Sequence, residues 1–192
     1  PTFLLNVVLN GEKEFTGIFA GNYITAHKAA CDFVNKQNGV EIGEEADIVI
    51  ATCGGFPKDI NIYQSQKTMD NAVKAVKQGG VVILLAECRE GSGSPVFDET
   101  VKTHDTLQSI EDSVRADFQI GRHKAYAVTR LMKKADFYLL SKIDDEFAKT
   151  AFFTPVHSME EALEKAYAKM GKDAKIILMP HGSYTVPILK TK

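Results

Sequence analysis

The sequence predicts an α/β protein, a three-layer sandwich on a mainly parallel sheet, preceded by a β-hairpin and a helix. Three observations carry this. Short continuous apolar runs at 48–51, 81–86, 135–141 and 176–179 have the length of strands buried on both faces. Helical spacing of apolar residues fills the intervals between them, as in βαβ units stacked into a Rossmann-like sheet. The first twenty residues differ, with strict apolar alternation followed by a hairpin signal.

In that opening segment Phe3, Leu5, Val7 and Leu9 alternate as the expected buried face of a strand. Asn10-Gly11 makes the turn, and 14–20 returns as the partner strand. Gly21-Asn22 opens a helix with Ala26, Ala30, Phe33 and Val34 as its apolar stripe, and Gly39 follows its end. A composition boundary at 39–45 separates this hairpin–helix lead, residues 1–42, from an α/β core, residues 43–192.

The core is organised around 47–67. The strand at 48–51 breaks at Gly54 and Gly55, Pro57 fixes φ in the turn, and Asp59 is the expected N-cap of a helix over 60–76. Met69, Ala72, Val73 and Val76 form its inward stripe, and Gly79-Gly80 ends it before the strand at 81–86. Two parallel strands joined by a helix require a right-handed crossover. Residues 87–95 read as a loop, and 98–118 as two short helices. After Gly121 a helix turns Val128, Leu131 and Met132 inward, with Lys133 and Lys134 in its last turn, where cations suit the dipole. Ser158 and Glu161 are a capping-box pair for a helix ending at Gly171, and 180–187 reads as turn and extended chain. The loops at Gly54, Gly91 and Ser141 all follow strands, so they belong on one edge of the sheet.

Composition narrows the function classes. A chain of 192 residues, 44% hydrophobic and 25% charged, suits one globular core with appendages. A net charge of −2 gives no electrostatic case for nucleic acid or an anionic membrane. No apolar run approaches the roughly 20 residues that span a bilayer, and Pro1-Thr2-Phe3 does not read as a signal peptide. Cys31, Cys53 and Cys88, without a Cys-x-x-Cys pair, read as reduced thiols of a cytoplasmic protein. The five histidines show no His-x-x-x-His spacing, and no metal-ligand set is legible.

On the helix after Gly54, Gln64, Lys67 and Asn71 lie opposite the apolar stripe. Two amides and an ammonium thus gather beyond the carboxyl end of a strand, where open α/β sheets bind ligands. The same pattern suits an ordinary solvated helix face. Tyr63, Arg89 and His123 are further cleft candidates, Arg89 as a carboxylate partner. The glycine–serine run 91–94 is a candidate phosphate cradle. His27 stands alone on its helix, and His181 reads as a turn residue.

The string Gly54-Gly55-Phe56-Pro57-Lys58-Asp59-Ile60-Asn61-Ile62-Tyr63-Gln64-Ser65-Gln66-Lys67 resembles the signature of the nickel-pincer lactate racemase family. Ala86-Glu87-Cys88-Arg89-Glu90-Gly91 and Gly17-Ile18-Phe19-Ala20-Gly21 resemble further family segments. The resemblance covers the C-terminal part of a family member. It implies a substrate-side domain of a 2-hydroxyacid racemase or epimerase, working by reversible hydride transfer to a nickel-pincer nucleotide. The N-terminal domain that carries the nickel ligands and catalytic histidines is then a missing partner, and lead 1–42 packs either on it or on this chain's own sheet. By the same resemblance Gln64 and Lys67 reach a small 2-hydroxyacid substrate, and this chain alone binds no cofactor, holds no catalytic residue and is inactive. Two other readings stay open: an independent nucleotide-binding Rossmann-like domain, and a non-catalytic regulatory or scaffold domain. Thr52-Cys-Gly-Gly-Phe-Pro departs from Gly-x-Gly-x-x-Gly, which weakens the former.

Overall fold

The computed structural model describes residues 2–190. It divides into two compact units, the first ending at Val40 and the second beginning at Glu41.

In the first unit β1 (Leu4–Leu9) and β2 (Phe15–Gly21) form an antiparallel hairpin with Val7 opposite Ile18. Asn22 caps α1 (Tyr23–Asn38), its side chain accepting from Ile24 N and Thr25 N. The strand alternation is present, but the covered face is the other one. Leu4, Asn6 and Val8 are half-buried, while Phe3, Leu5, Val7 and Leu9 are exposed. The helix takes the side bearing Gly17 and Phe19, where the Phe19 and Phe33 rings sit 5.4 Å apart. A β-carbon on Gly17 would lie 3.1 Å from the Phe33 ring, so that glycine admits the close approach. Period-two alternation defines two faces and leaves open which one a helix covers. Leu5, Val7, Phe15 and Ile18 remain an uncovered apolar surface.

After β3 (Gly39–Ile42), the second unit carries β4 (Ala46–Thr52), α2 (Ile62–Ala72) and β5 (Val76–Leu85). Next come α3 (Pro95–Thr103), α4 (Leu107–Ala116), α5 (Arg122–Met132) and β6 (Ala135–Leu140). Then follow α6 (Asp145–Thr150), β7 (Thr154–Val156), α7 (Met159–Met170), β8 (Ile176–Met179) and β9 (Val186–Leu189). Lys190 N, just past β9, donates to Ile42 O at 3.0 Å.

The main sheet has five strands in the order β7-β6-β5-β4-β8, every neighbouring pair parallel. Alternate residues face opposite layers. Val49, Ala51, Val82, Leu84 and Phe137 join Met69, Ala72, Phe97, Ile110 and Val128 in one core. Ile48, Val81, Ile83 and Tyr138 join Ala162 and Ala166 of α7 in the other. The three-layer α/β arrangement is thus as predicted, and the loops after β4, β5 and β6 share the carboxyl edge. The chain steps outward from β4 through β5 and β6 to β7, then crosses back under α7 to place β8 on the far side of β4. The direction of winding reverses between β4 and β8. Such a reversal opens a crevice at the carboxyl ends of the two strands.

Local differences from the sequence reading have physical causes. The helix over 60–76 is shorter, Ile62–Ala72, and its cap is Asn61 rather than Asp59, with Asn61 Oδ1 accepting from Gln64 N at 2.9 Å. Val76 begins β5 instead of ending α2. Gly79 and Gly80 lie inside that strand, and a β-carbon on Gly80 would come 2.7 Å from Asp47 O. Glycine is required there because β5 runs tightly against β4, where the register shifts between Ala46 and Ile48. The edge strand β7 escaped notice because it has only three residues, one of them Pro155.

Candidate functional site

The glycine–serine run after β5 is committed to the start of α2. Ile62 N donates to Gly91 O (3.1 Å) and Tyr63 N to Ser92 O (3.0 Å), while Ser65 N donates to Asn61 O (3.1 Å). With the Asn61 side chain on Gln64 N, the orphan amides of the first turn are all engaged. Gly93, at φ +81°, allows Asn61 to press against it: a β-carbon would sit 2.5 Å from Asn61 Cγ. The run seals the start of α2, so the first-turn amides of that helix are not free to cradle a phosphate.

One turn further, α2 presents the predicted pair. Lys67 Nζ donates to Gln64 Oε1 at 2.8 Å, with Lys67 exposed and Gln64 half-buried. Tyr63 is half-buried, and the Lys124 ammonium of α5 stands 4.4 Å above its ring. Lys124 donates to Gln66 Oε1 at 2.7 Å, the Gln66 amide nitrogen donates to Asp70, and Arg130 reaches Asp70 at 3.2 Å. This chain of contacts fixes Lys124 on the tyrosine face. Burial lowers its proton affinity, the nearby charge of Lys67 lowers it further, and Asp70 opposes both. Among the described residues neither Lys67 nor Lys124 is ion-paired with a carboxylate. An anion arriving there meets ammonium groups with no carboxylate to displace.

Other expected residues are placed differently. Asn71 does not join Gln64 and Lys67 on the open face. It is buried, and its Nδ2 donates to Gly182 O at 2.8 Å, tying α2 to the loop after β8. Arg89 is exposed at the carboxyl edge with its guanidinium 4.3 Å over the Phe56 ring. His123 is engaged locally at the start of α5, where Nδ1 accepts from Gly121 N at 3.2 Å and the ring lies 5.6 Å from that of Phe118.

The crevice between β4 and β8 holds residues that the sequence did not single out. Thr52 Oγ1 donates to Pro180 O at 2.6 Å, Gly182 N to Thr52 O at 2.9 Å, and Ser183 Oγ to Cys53 O at 2.8 Å. These bonds hold the two loops together, with Lys58 Nζ 4.0 Å from the Tyr184 ring centroid and His181 alongside. Reading that grouping from sequence requires the strand order; Lys124, next to His123 at the start of its helix, is a cleft candidate by position, but its contacts with Tyr63 and Gln66 require knowing that α5 lies beside α2.

Below this edge Cys53 and Cys88 are buried, and both contact Ser65. Burial pushes the Cys88 thiol up to about 11 and raises Cys53 as well. Among the described residues no three of His, Cys, Asp or Glu come together as ligands for a metal ion. Among the described residues no helix is long and apolar enough to cross a membrane.

The fold is a parallel α/β domain, with Lys67 and Lys124 near the carboxyl edge of its sheet. Residues 42–186 match the lactate racemase C-terminal domain family. The lactate racemases of Lactiplantibacillus plantarum and Thermoanaerobacterium thermosaccharolyticum are each 34% identical to this chain over 94% of its length. The lactate racemase apoprotein structure from the latter organism superposes with a TM-score of 0.84 at 31% identity, covering 97% of this chain and 46% of that one. A Thermotoga maritima protein shares the fold, with a TM-score of 0.65 at 14% identity. The chain belongs to the lactate racemase family, through its C-terminal domain. It spans 43% of the length of the two curated relatives.

Proposed function

We propose that this chain is the substrate-side C-terminal domain of a 2-hydroxyacid racemase or epimerase. The observation that carries the reading is the Gln64–Lys67 pair, displayed on α2 at the carboxyl edge and inside the family-matched region. Lys67 supplies the charge that pairs with the substrate carboxylate. Gln64, whose Oε1 already accepts from Lys67, keeps its amide nitrogen to donate to the hydroxyl oxygen at C2. Tyr63, with Lys124 against its ring, walls the same surface. The role of these groups is to hold the acid in one orientation, where small misplacements are costly in rate.

The described residues do not fit a nickel centre, since they offer no cluster of ligands. Family resemblance assigns the nickel-pincer nucleotide and the hydride chemistry to an N-terminal domain, corresponding to the share of the relatives beyond this chain. The lead 1–42 is proposed to pack on that domain, which would cover the apolar hairpin face of Leu5, Val7, Phe15 and Ile18. The residues 43–192 then form the α/β core. A cytoplasmic location is proposed on the three free cysteines. The sealed start of α2 counts against the alternative of an independent nucleotide-binding domain, because the amides that such a domain aims at phosphate are spent.

The test is metal analysis after dialysis together with a chiral assay on lactate and related 2-hydroxyacids. The 192-residue chain alone is expected to show neither stoichiometric nickel nor turnover. Stoichiometric nickel with racemisation by this chain would contradict the division of labour.

A further inference from the structure

We propose that Lys58 and His181, with Tyr184 as the support of Lys58, form a second oxyanion-binding site in the crevice between β4 and β8. The site goes beyond the Gln64–Lys67 surface and shares no residue with it.

Geometry makes the argument. A point one bond above the Gly54 α-carbon lies 3.5 Å from Lys58 Nζ and 3.6 Å from His181 Nδ1. The two nitrogens converge on a space that any side chain at position 54 would fill. Glycine leaves it open, and its φ of +83° is a conformation that other residues rarely adopt. An anion packed over the Gly54 α-carbon, further out than a β-carbon would reach, has both nitrogens beside it as donors.

The surroundings keep the site in shape. The Tyr184 ring holds the Lys58 ammonium at 4.0 Å, an attraction that positions the charge without neutralising it. The loop bearing His181 is fixed to β4 through Thr52, Cys53 and Gly182, and to α2 through Asn71. Among the described residues neither Lys58 nor His181 pairs with a carboxylate. The adjoining acid, Asp59, has its Oδ1 buried and acts on the Cys53 and Cys88 thiols. The place is also the switch point of the sheet, where strand topology opens a crevice by itself.

The ligand class is a small oxyanion, either a phosphate group or a carboxylate, and the experiment separates the two. The 192-residue chain is titrated with inorganic phosphate and, separately, with lactate, at constant ionic strength held with chloride. The His181 ring and Gly54 amide signals are followed by NMR. Saturable shifts at both positions are expected with at least one of the probes. Response to phosphate alone identifies a phosphate site, and response to lactate identifies a carboxylate site. Lys58→Gln, whose amide spectrum should otherwise match the parent, is expected to weaken binding by roughly tenfold or more. His181→Asn should weaken it too, while Lys67→Ala should leave it unchanged. Shifts that neither probe saturates, or that persist at full strength in Lys58→Gln and His181→Asn, would overturn the proposal.

Discussion

At the scale of single residues, the chain separates charges by where it leaves them unpaired. Around the body of the sheet, lysines meet carboxylates: Lys77 with Asp47, Lys134 with Glu45, Lys142 with Glu87, Lys169 with Asp136. At the carboxyl edge Lys58, Lys67 and Lys124 stand against aromatic rings or amides instead. Exposed ion pairs add little stability, so this arrangement has more bearing on which anions approach than on folding. The thiols permit a direct check. Thiolate is the reactive form, and the Cys88 thiol is pushed up to about 11 by burial. Cys31 is exposed and Cys53 is buried with its thiol also raised. Native alkylation near neutral pH should therefore label Cys31 first, with Cys53 and Cys88 reacting only on unfolding. Peptide mapping showing rapid native labelling of Cys88 would contradict its buried placement.

At the scale of elements, the start of α2 shows how the carboxyl edge of the sheet is built. Asn61 caps the helix through Gln64 N, and its side chain fills the hollow over Gly93. Asn61→Ala should cost about 0.5–2 kcal/mol, the usual range for losing such a cap. Gly93→Ala should also destabilise, because the new β-carbon would collide with Asn61 at a positive-φ position. Thermal melts of both variants would check this, and unchanged midpoints would place the sealing contacts elsewhere. Much of this element was legible in the sequence: Gly54-Gly55 as a break, the stripe through Met69 and Ala72, and the exposed Lys67. Its cap was misplaced by two residues because Asp59 and Asn61 are both good caps. Only the arrival of the 91–93 loop selects Asn61. The covered face of the hairpin was unreadable for a similar reason, since alternation marks two faces and tertiary packing chooses between them.

At the scale of the whole molecule, charged contacts lie at the base of the sheet and the proposed binding surfaces at its top. Asp47, at the amino end of β4, accepts from Lys77 Nζ at 2.7 Å and from Lys175 N at 2.9 Å. The Lys77 hydrogen bond, then the Lys175 amide, hold its carboxyl below the usual range, against a smaller effect of burial. A depressed folded pKa adds stability that is fully present above the unfolded value near 4 and is lost as pH falls through the folded value. Asp47→Asn should therefore lower stability at neutral pH and flatten its decline on acidification. Denaturation midpoints taken at pH 3 and pH 7 would show this, and equal acid sensitivity in both proteins would contradict it.

Whether α2 presents Lys67 and Gln64 to a 2-hydroxyacid is tested in an intact racemase that contains this chain. Lys67→Ala removes a charge-assisted hydrogen bond worth roughly 1.5–3 kcal/mol. Racemase kcat/KM should fall about 10- to 100-fold, at about 1.4 kcal/mol per decade, with the melting temperature little changed because Lys67 is exposed. Lys165→Ala, at an ion pair on α7, should leave the kinetics intact. Unchanged kcat/KM in Lys67→Ala, or loss of activity through unfolding, would show that this face of α2 does not bind the substrate.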